Sequence, residues 1–302
     1  MTLFDQLALL DTESVNPRTT DIDTLSAREI VELLNAEDAL VATAVHAELD
    51  HIARAAQAVA EAFRAGGRLF YVGAGTSGRL GVVDASECPP TYGVPPTMVQ
   101  AIMAGGPAAV FQSVEGAEDS KEEGSKAMRD HGVQAADVVC GIAASGRTPF
   151  VLAALAEARL LGCVTVLVST NHRKTVQGFA PEADILICPF VGPEAITGST
   201  RMKSGSAQKM VLNMISTTAM VLIGKTYGNV MVDLQLTNEK LRERAKRIVM
   251  TIGGMNYEEA TSLLESAGGK VKTALVMALT GRTREESENE LIQRRGRVRS
   301  DE

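Results

Sequence analysis

Residues 69–90 read LFYVGAGTSGRLGVVDASECPP. A short apolar run, the composition of a buried strand, passes into four glycines, the hydroxyl pair Thr76–Ser77 and an arginine before Glu87. Gly73 to Gly78 spell G-x-G-x-x-G at the point where a strand would turn into a helix, which brings a dinucleotide fold into consideration. That fold also uses an acidic residue about twenty positions later to hold the ribose. The segment GVPPTMVQAIM, residues 93–103, has none. A single phosphate suits the stretch better, held at a helix N-terminus by the backbone N–H groups around Gly75 and by the hydroxyls of Thr76 and Ser77. A second loop repeats the chemistry. VVCGIAASGRTPF, residues 138–150, delivers Ser145, Gly146, Arg147 and Thr148 straight after another apolar run. Two such loops at strand ends of one sheet converge on one anion.

Working outward, apolar strand-like runs near 68–72, 97–102, 137–142, 164–168 and 184–188 alternate with helical patterns at 78–87, 117–130 and 148–161. That rhythm predicts an α/β fold, a parallel sheet with helices on both faces whose ligands lie beyond the carboxyl ends of its strands. Residues 26–64 keep apolar positions at three-and-four spacing, a helical pattern ended by Gly66 and Gly67. A long helix is expected over Lys203–Ile223 and another over Asn238–Thr251, followed by glycine-separated helical patterns. The expected organisation is an N-terminal helical segment (1–55), the α/β sheet domain with its following long helix (56–235), and a small C-terminal helical bundle (236–302).

Composition narrows the function. The 302 residues carry a net charge of −7, against the basic surface that nucleic acid demands, so no nucleic-acid partner is expected. The apolar run Met210–Gly224 is too short for a bilayer and holds Asn213, Ser216, Thr217 and Thr218, so it reads as a buried helix and no membrane partner is expected. MTLFDQLALLD, at the start, is acidic where a secretory leader would be basic, which predicts a cytoplasmic protein. Four scattered cysteines and four histidines show neither a disulfide framework nor metal-ligand spacing. No metal and no cofactor are expected.

The paired GAGTSGR and ASGRTP loops resemble the sugar isomerase (SIS) domain, which binds phosphosugars. GPEAITGSTRMKSGSAQKMVLNMIST, residues 192–217, resembles the signature shared by glucokinase regulatory proteins and N-acetylmuramic acid 6-phosphate etherases. DASECPPTYGV (84–94), VEGAEDS (114–120) and TESVNPRTTDID (12–23) favour the etherases, and the resemblance runs from Thr12 into the C-terminal bundle. It implies a SIS-type sheet and a substrate, N-acetylmuramic acid 6-phosphate, cleaved to N-acetylglucosamine 6-phosphate and D-lactate.

The same resemblance implies that Glu87 is the acid protonating the departing lactate and Glu118 the base at C2, with exchange of those roles left open. On the residues alone, Glu115, Glu118 and Asp119 also read as acidic charges at a helix N-terminus, favoured by its dipole. Substrate binding is expected from Gly75, Thr76, Ser77, Ser145, Gly146, Thr148, Glu194, Ser199 and Lys203, with Glu194 also a candidate for assisting ring opening. SIS units usually pair, which implies a homodimer with a residue such as His46 or Glu48 at the rim of the partner's cleft. A noncatalytic phosphosugar sensor and an aldose–ketose isomerase are the competing functions. Neither needs the DASECPP and EGAED blocks together.

Overall fold

The structure is a computed structural model describing residues 10–234, 236 and 239–299. The acidic start of the chain and Asn238 lie outside the described residues. Strands β1 (Leu69–Gly73), β2 (Val99–Met103), β3 (Val138–Ile142), β4 (Val164–Val168) and β5 (Ile185–Ile187) form one parallel sheet in the order β2-β1-β3-β4-β5. Every residue of β1 and β3 is buried, which is why these strands are unbroken apolar runs rather than alternating ones. The chain steps from β1 outward to β2, then returns to the other side of β1 for β3 and continues to β4 and β5. The order therefore reverses between β1 and β3, whose last residues Gly73 and Ile142 are register partners. A crevice opens at such a reversal, beyond the strand ends.

Helices α1 (Ala27–Asp38), α2 (Val41–His46) and α3 (Leu49–Arg64) precede the sheet. The single helical pattern over residues 26–64 is thus divided, and each break lies beside a glutamate bound to the sheet domain. Glu48 accepts from Arg173 and, at 2.9 Å, from the Cys188 N–H. Glu48 is therefore tied within its own chain, while His46 is exposed. Glu37 accepts from Arg18 and Asn16, and from Lys203 Nζ at 2.6 Å. Thr19 Oγ1 donates to the Ala195 carbonyl and Asn16 Nδ2 to that of Pro193. Residues 11–37 are in this way strapped to the loop ahead of the long helix.

The other helices of the sheet region are α4 (Gly75–Tyr92), α5 (Lys121–Asp130), α6 (Pro149–Leu160), α7 (Arg173–Phe179) and α8 (Lys203–Leu222). Phe150, Val151, Ala154 and Leu155 of α6 join Phe70, Val72 and Val139 in the main core. Two departures from the sequence pattern bear on the site. Helix α5 begins at Lys121 rather than 117, because Ser120 caps it by accepting the Glu123 N–H at 3.2 Å. Helix α4 passes through Pro89 and Pro90 to Tyr92. The two prolines remove only the N–H groups that would meet the Ala85 and Ser86 carbonyls, and Gly93 donates to the Pro89 carbonyl to close the last turn.

The chain forms two compact units, one running to Ser86 and resuming over Pro96–Ser216, the other combining Glu87–Pro95 with the chain from Thr217 onward. The second holds the short antiparallel pair β6 (Thr226–Tyr227) and β7 (Val230–Met231), which the sequence pattern does not announce. It also holds α9 (Glu239–Gly253), α10 (Tyr257–Ser266), α11 (Val271–Thr280) and α12 (Arg284–Gln293). Its own core centres on Val249, Ala260, Ala274, Leu275 and Val276. Capping boxes at Asn256/Glu259 and Thr283/Glu286 start α10 and α12, and Gly281, in the left-handed region, ends α11. Among the described residues no helix is long and apolar enough to cross a membrane.

Candidate active site

The first loop turns on Gly75, whose φ of +53° swings the chain from β1 into α4. Strand end and helix start then touch. A Cβ on Gly73 would sit 2.6 Å from the Gly78 nitrogen, and one on Gly78 would sit 2.7 Å from the Gly73 carbonyl oxygen. Both contacts are with backbone, so neither partner can swing aside. Gly78→Ala is expected to destabilise the first unit by about 1–3 kcal/mol through overpacking, read as a lower denaturant midpoint. This close approach leaves the first turn of α4, with Thr76 and Ser77, directly beyond β1, its unpaired N–H groups suited to an anion.

The adjacent loop beyond β3 carries the half-buried polar residues Ser145, Arg147 and Thr148. Ser145 Oγ accepts the Arg147 N–H at 3.3 Å, and Gly146 is left-handed at φ +73°. A side chain at Gly146 would meet Ser169 Oγ at 3.0 Å. Thr148 stands at the N-cap of α6 without making a capping bond to it, while Pro149 takes the first helical position. The loops beyond β1 and β3 are therefore neighbours, as the two hydroxyl-rich sequences imply.

The third contribution comes from the loop between β2 and α5. Arg79 of α4 donates to the Val110 and Ala109 carbonyls at 2.8 and 2.9 Å, bracing the loop against the helix. Gly116, left-handed, leads into a single 3-10 turn, Ala117–Asp119, that carries Glu118. Glu118 is exposed to solvent and lines a cavity of about 350 Å³ together with Gly75, Arg79, Met103 and Glu115. A carboxylate and the glycine loop beyond β1 thus share one cavity. Ser145 and Thr148 are not among its lining residues.

The remaining expected residues are placed differently. Glu194 is fully buried, and its two carboxylate oxygens accept the Lys203 and Ser204 N–H groups at 3.0 and 2.9 Å, capping α8. Lys203 is the buried counter-ion of Glu37. In this arrangement both serve internal bonds. Ser199 is half-buried on the turn before α8. Glu87 is exposed on α4, among the residues counted with the second unit.

Sequence reasoning passed over the loop after β4. Ser169 Oγ and Asn171 Nδ2 both donate to the Ala144 carbonyl, at 2.9 and 3.2 Å, and Thr170 Oγ1 donates to Ser204 Oγ at 2.9 Å. The three are buried and hold the loop beyond β3 against α8. Their signal was positional: a hydroxyl–hydroxyl–amide triplet directly after an apolar strand.

Comparison with known proteins agrees with this architecture. The family model described as the glucokinase regulatory protein N-terminal SIS domain matches residues 51–159. A phosphoheptose isomerase from Francisella tularensis, of known structure, superposes with a TM-score of 0.50 at 15% identity, over 65% of this chain and 100% of its own, a likeness of fold alone. The N-acetylmuramic acid 6-phosphate etherase of Salinibacter ruber is 58% identical over 278 residues, which are 92% of this chain and 88% of that protein. That of Salmonella typhi is 54% identical over 275 residues, 91% and 92% of the two chains. With identity at this level along almost its whole length, and with the expected sheet and paired loops in place, the chain belongs to the N-acetylmuramic acid 6-phosphate etherase family.

Proposed function

We propose that the protein cleaves the D-lactyl ether of N-acetylmuramic acid 6-phosphate to N-acetylglucosamine 6-phosphate and D-lactate. The observation that carries the geometric side of this reading is the shared cavity of Gly75 and Glu118, an anion loop and a carboxylate on one substrate-sized space. An alkyl ether resists direct displacement. In the open-chain sugar, however, the ether at C3 lies β to the C1 aldehyde, and the C2 proton is acidic. Glu118 takes that proton, the electron pair moves to form the C2–C3 double bond, and the C3–O bond breaks. Glu87 protonates the departing oxygen, and water then adds at C3 of the unsaturated aldehyde to give the product. The phosphate, held beyond β1 and β3 by backbone N–H groups and by Thr76, Ser77, Ser145 and Thr148, fixes the sugar against the base. Glu194 and Lys203 act from behind by fixing the start of α8.

Incubation with N-acetylmuramic acid 6-phosphate should release D-lactate. A ketose phosphate with no lactate would make the protein an isomerase, and binding with no turnover would make it a sensor. Ser145→Ala and Thr148→Ala should each weaken product binding by about ten- to a hundredfold, since each removes a hydroxyl bonded to a charged group. Calorimetric titration with N-acetylglucosamine 6-phosphate checks this, and unchanged affinity in both variants would place the phosphate elsewhere.

The working form in this reading is a cytoplasmic homodimer. The four cysteines are free and buried, in keeping with a reducing compartment. Val31, Leu40 and Leu49 stand exposed on the N-terminal helices and offer an apolar surface to a second copy.

A further inference from the structure

Gln208 lies on the second turn of α8, has no solvent exposure, and belongs to none of the roles assigned above. Its side chain meets the first anion loop: Ser77 Oγ lies 2.9 Å from Gln208 Oε1 and donates its proton there. Gly205, one turn earlier on α8, lets that helix approach the same loop, since a Cβ there would come 3.5 Å from Thr76 Cγ2. This arrangement has two costs. Gln208 Nε2 is a buried donor with no partner, and a buried donor left unpaired is expensive. Ser77, a hydroxyl with a single proton, has used that proton on the amide and has none for an anion. An amide is nearly symmetric in shape, so the same space accepts it turned end for end. Turned, Nε2 donates to a Ser77 Oγ lone pair, the buried donor is satisfied, and the Ser77 O–H is released toward the loop.

We propose that Gln208 is a positioning residue for phosphate binding: with the phosphosugar bound, its Nε2 donates to Ser77 Oγ and thereby directs the Ser77 hydroxyl proton onto the phosphate. The inference rests on the phosphate-cradle reading above and adds to it the residue that decides which way this hydroxyl points. A carbonyl or carboxylate in place of the amide nitrogen would hold the proton back, and an apolar side chain would leave the hydroxyl unoriented.

The test is a double-mutant cycle on the full chain, with the dissociation constant for N-acetylglucosamine 6-phosphate measured by calorimetry. Ser77→Ala is expected to weaken binding by about ten- to a hundredfold, the worth of a hydrogen bond to a charged group. Gln208→Glu, close to the native shape but an acceptor only, should weaken it as much or more. Gln208→Met should weaken it nearly as much as Ser77→Ala, with the loss appearing in KM more than in kcat. In the Ser77→Ala background, Gln208→Met should add little, because the hydroxyl it orients is gone. Full additivity, or Gln208 variants that bind like the parent while Ser77→Ala does not, overturns the positioning role and leaves the cradle standing. Unchanged affinity in Ser77→Ala removes Ser77 from the cradle and the inference with it. If Gln208→Met does not fold, the near-isosteric Gln208→Glu carries the cycle.

Discussion

Glu118→Gln is expected to lower D-lactate release by about 10²–10⁴-fold, the usual contribution of a positioned general acid or base, while product affinity stays close to that of the parent. The change keeps size and removes only the proton acceptor, and Glu118 itself is exposed on its turn, so the fold is left intact. Exchange of the C2 proton with solvent separates the two carboxylates. It should vanish in Glu118→Gln and persist in part in Glu87→Gln, where deprotonation proceeds but the departing lactate finds no acid. Equal loss of exchange in both variants would show the base to be misassigned, and full lactate release by Glu118→Gln would remove that residue from the chemistry.

Glu37→Gln should be among the most destabilising single changes available, by about 3–5 kcal/mol, because it leaves the Lys203 ammonium buried without its charge partner. The double variant Glu37→Gln/Lys203→Met should recover much of that loss, since removing both charges together leaves no ion stranded. Denaturant titration of the three proteins gives the comparison. The same carboxylate predicts an acid response. The Arg18 guanidinium, followed by Lys203 and Asn16 and opposed by burial, holds Glu37 down at about 2 from an ordinary value of 4.5. A lowered folded-state value means a contribution fully present above about pH 4.5 and lost as pH falls toward 2. It amounts to about 3 kcal/mol at neutral pH. Stability measured from pH 6 down to pH 2.5 should fall more steeply in the parent than in Glu37→Gln.

The sheet was legible because its strands are buried on both faces. Phe70, Tyr71 and Val72, with Val139 and Ile142 of β3 and Val166, Leu167 and Val168 of β4, are all buried, so the runs stand out without any alternation to decode. The turns beyond β1 and β3 were legible for a different reason: a left-handed turn calls for glycine, and Gly75 and Gly146 mark both corners. What escaped reading is held by long-range bonds between ordinary residues. Glu37 looks like any solvated helical glutamate until Lys203 is seen beside it, and Glu194 looks like a free carboxylate until the α8 N–H groups are seen to occupy it. Ser169, Thr170 and Asn171 lacked the glycines that drew attention to the other loops. The start of α5 was set four residues too early because an acidic run suits a 3-10 turn as well as a first helical turn, and only the Ser120 cap decides between them.

The strap on the first unit also has an order in time. Its bonds join residues far apart in the chain, 160 positions between Asp11 and Asn171, 177 between Asn16 and Pro193, and 166 between Glu37 and Lys203. A ribosome adds about 5–20 residues per second, so residues 11–37 wait roughly ten to thirty seconds after their own synthesis before the groups that receive them exist. The segment made first therefore cannot be seated before the chain has been made as far as Lys203, and Glu37 stays hydrated until then. Until the strap closes, Lys203 has no buried carboxylate to meet, and burying its ammonium alone would be costly.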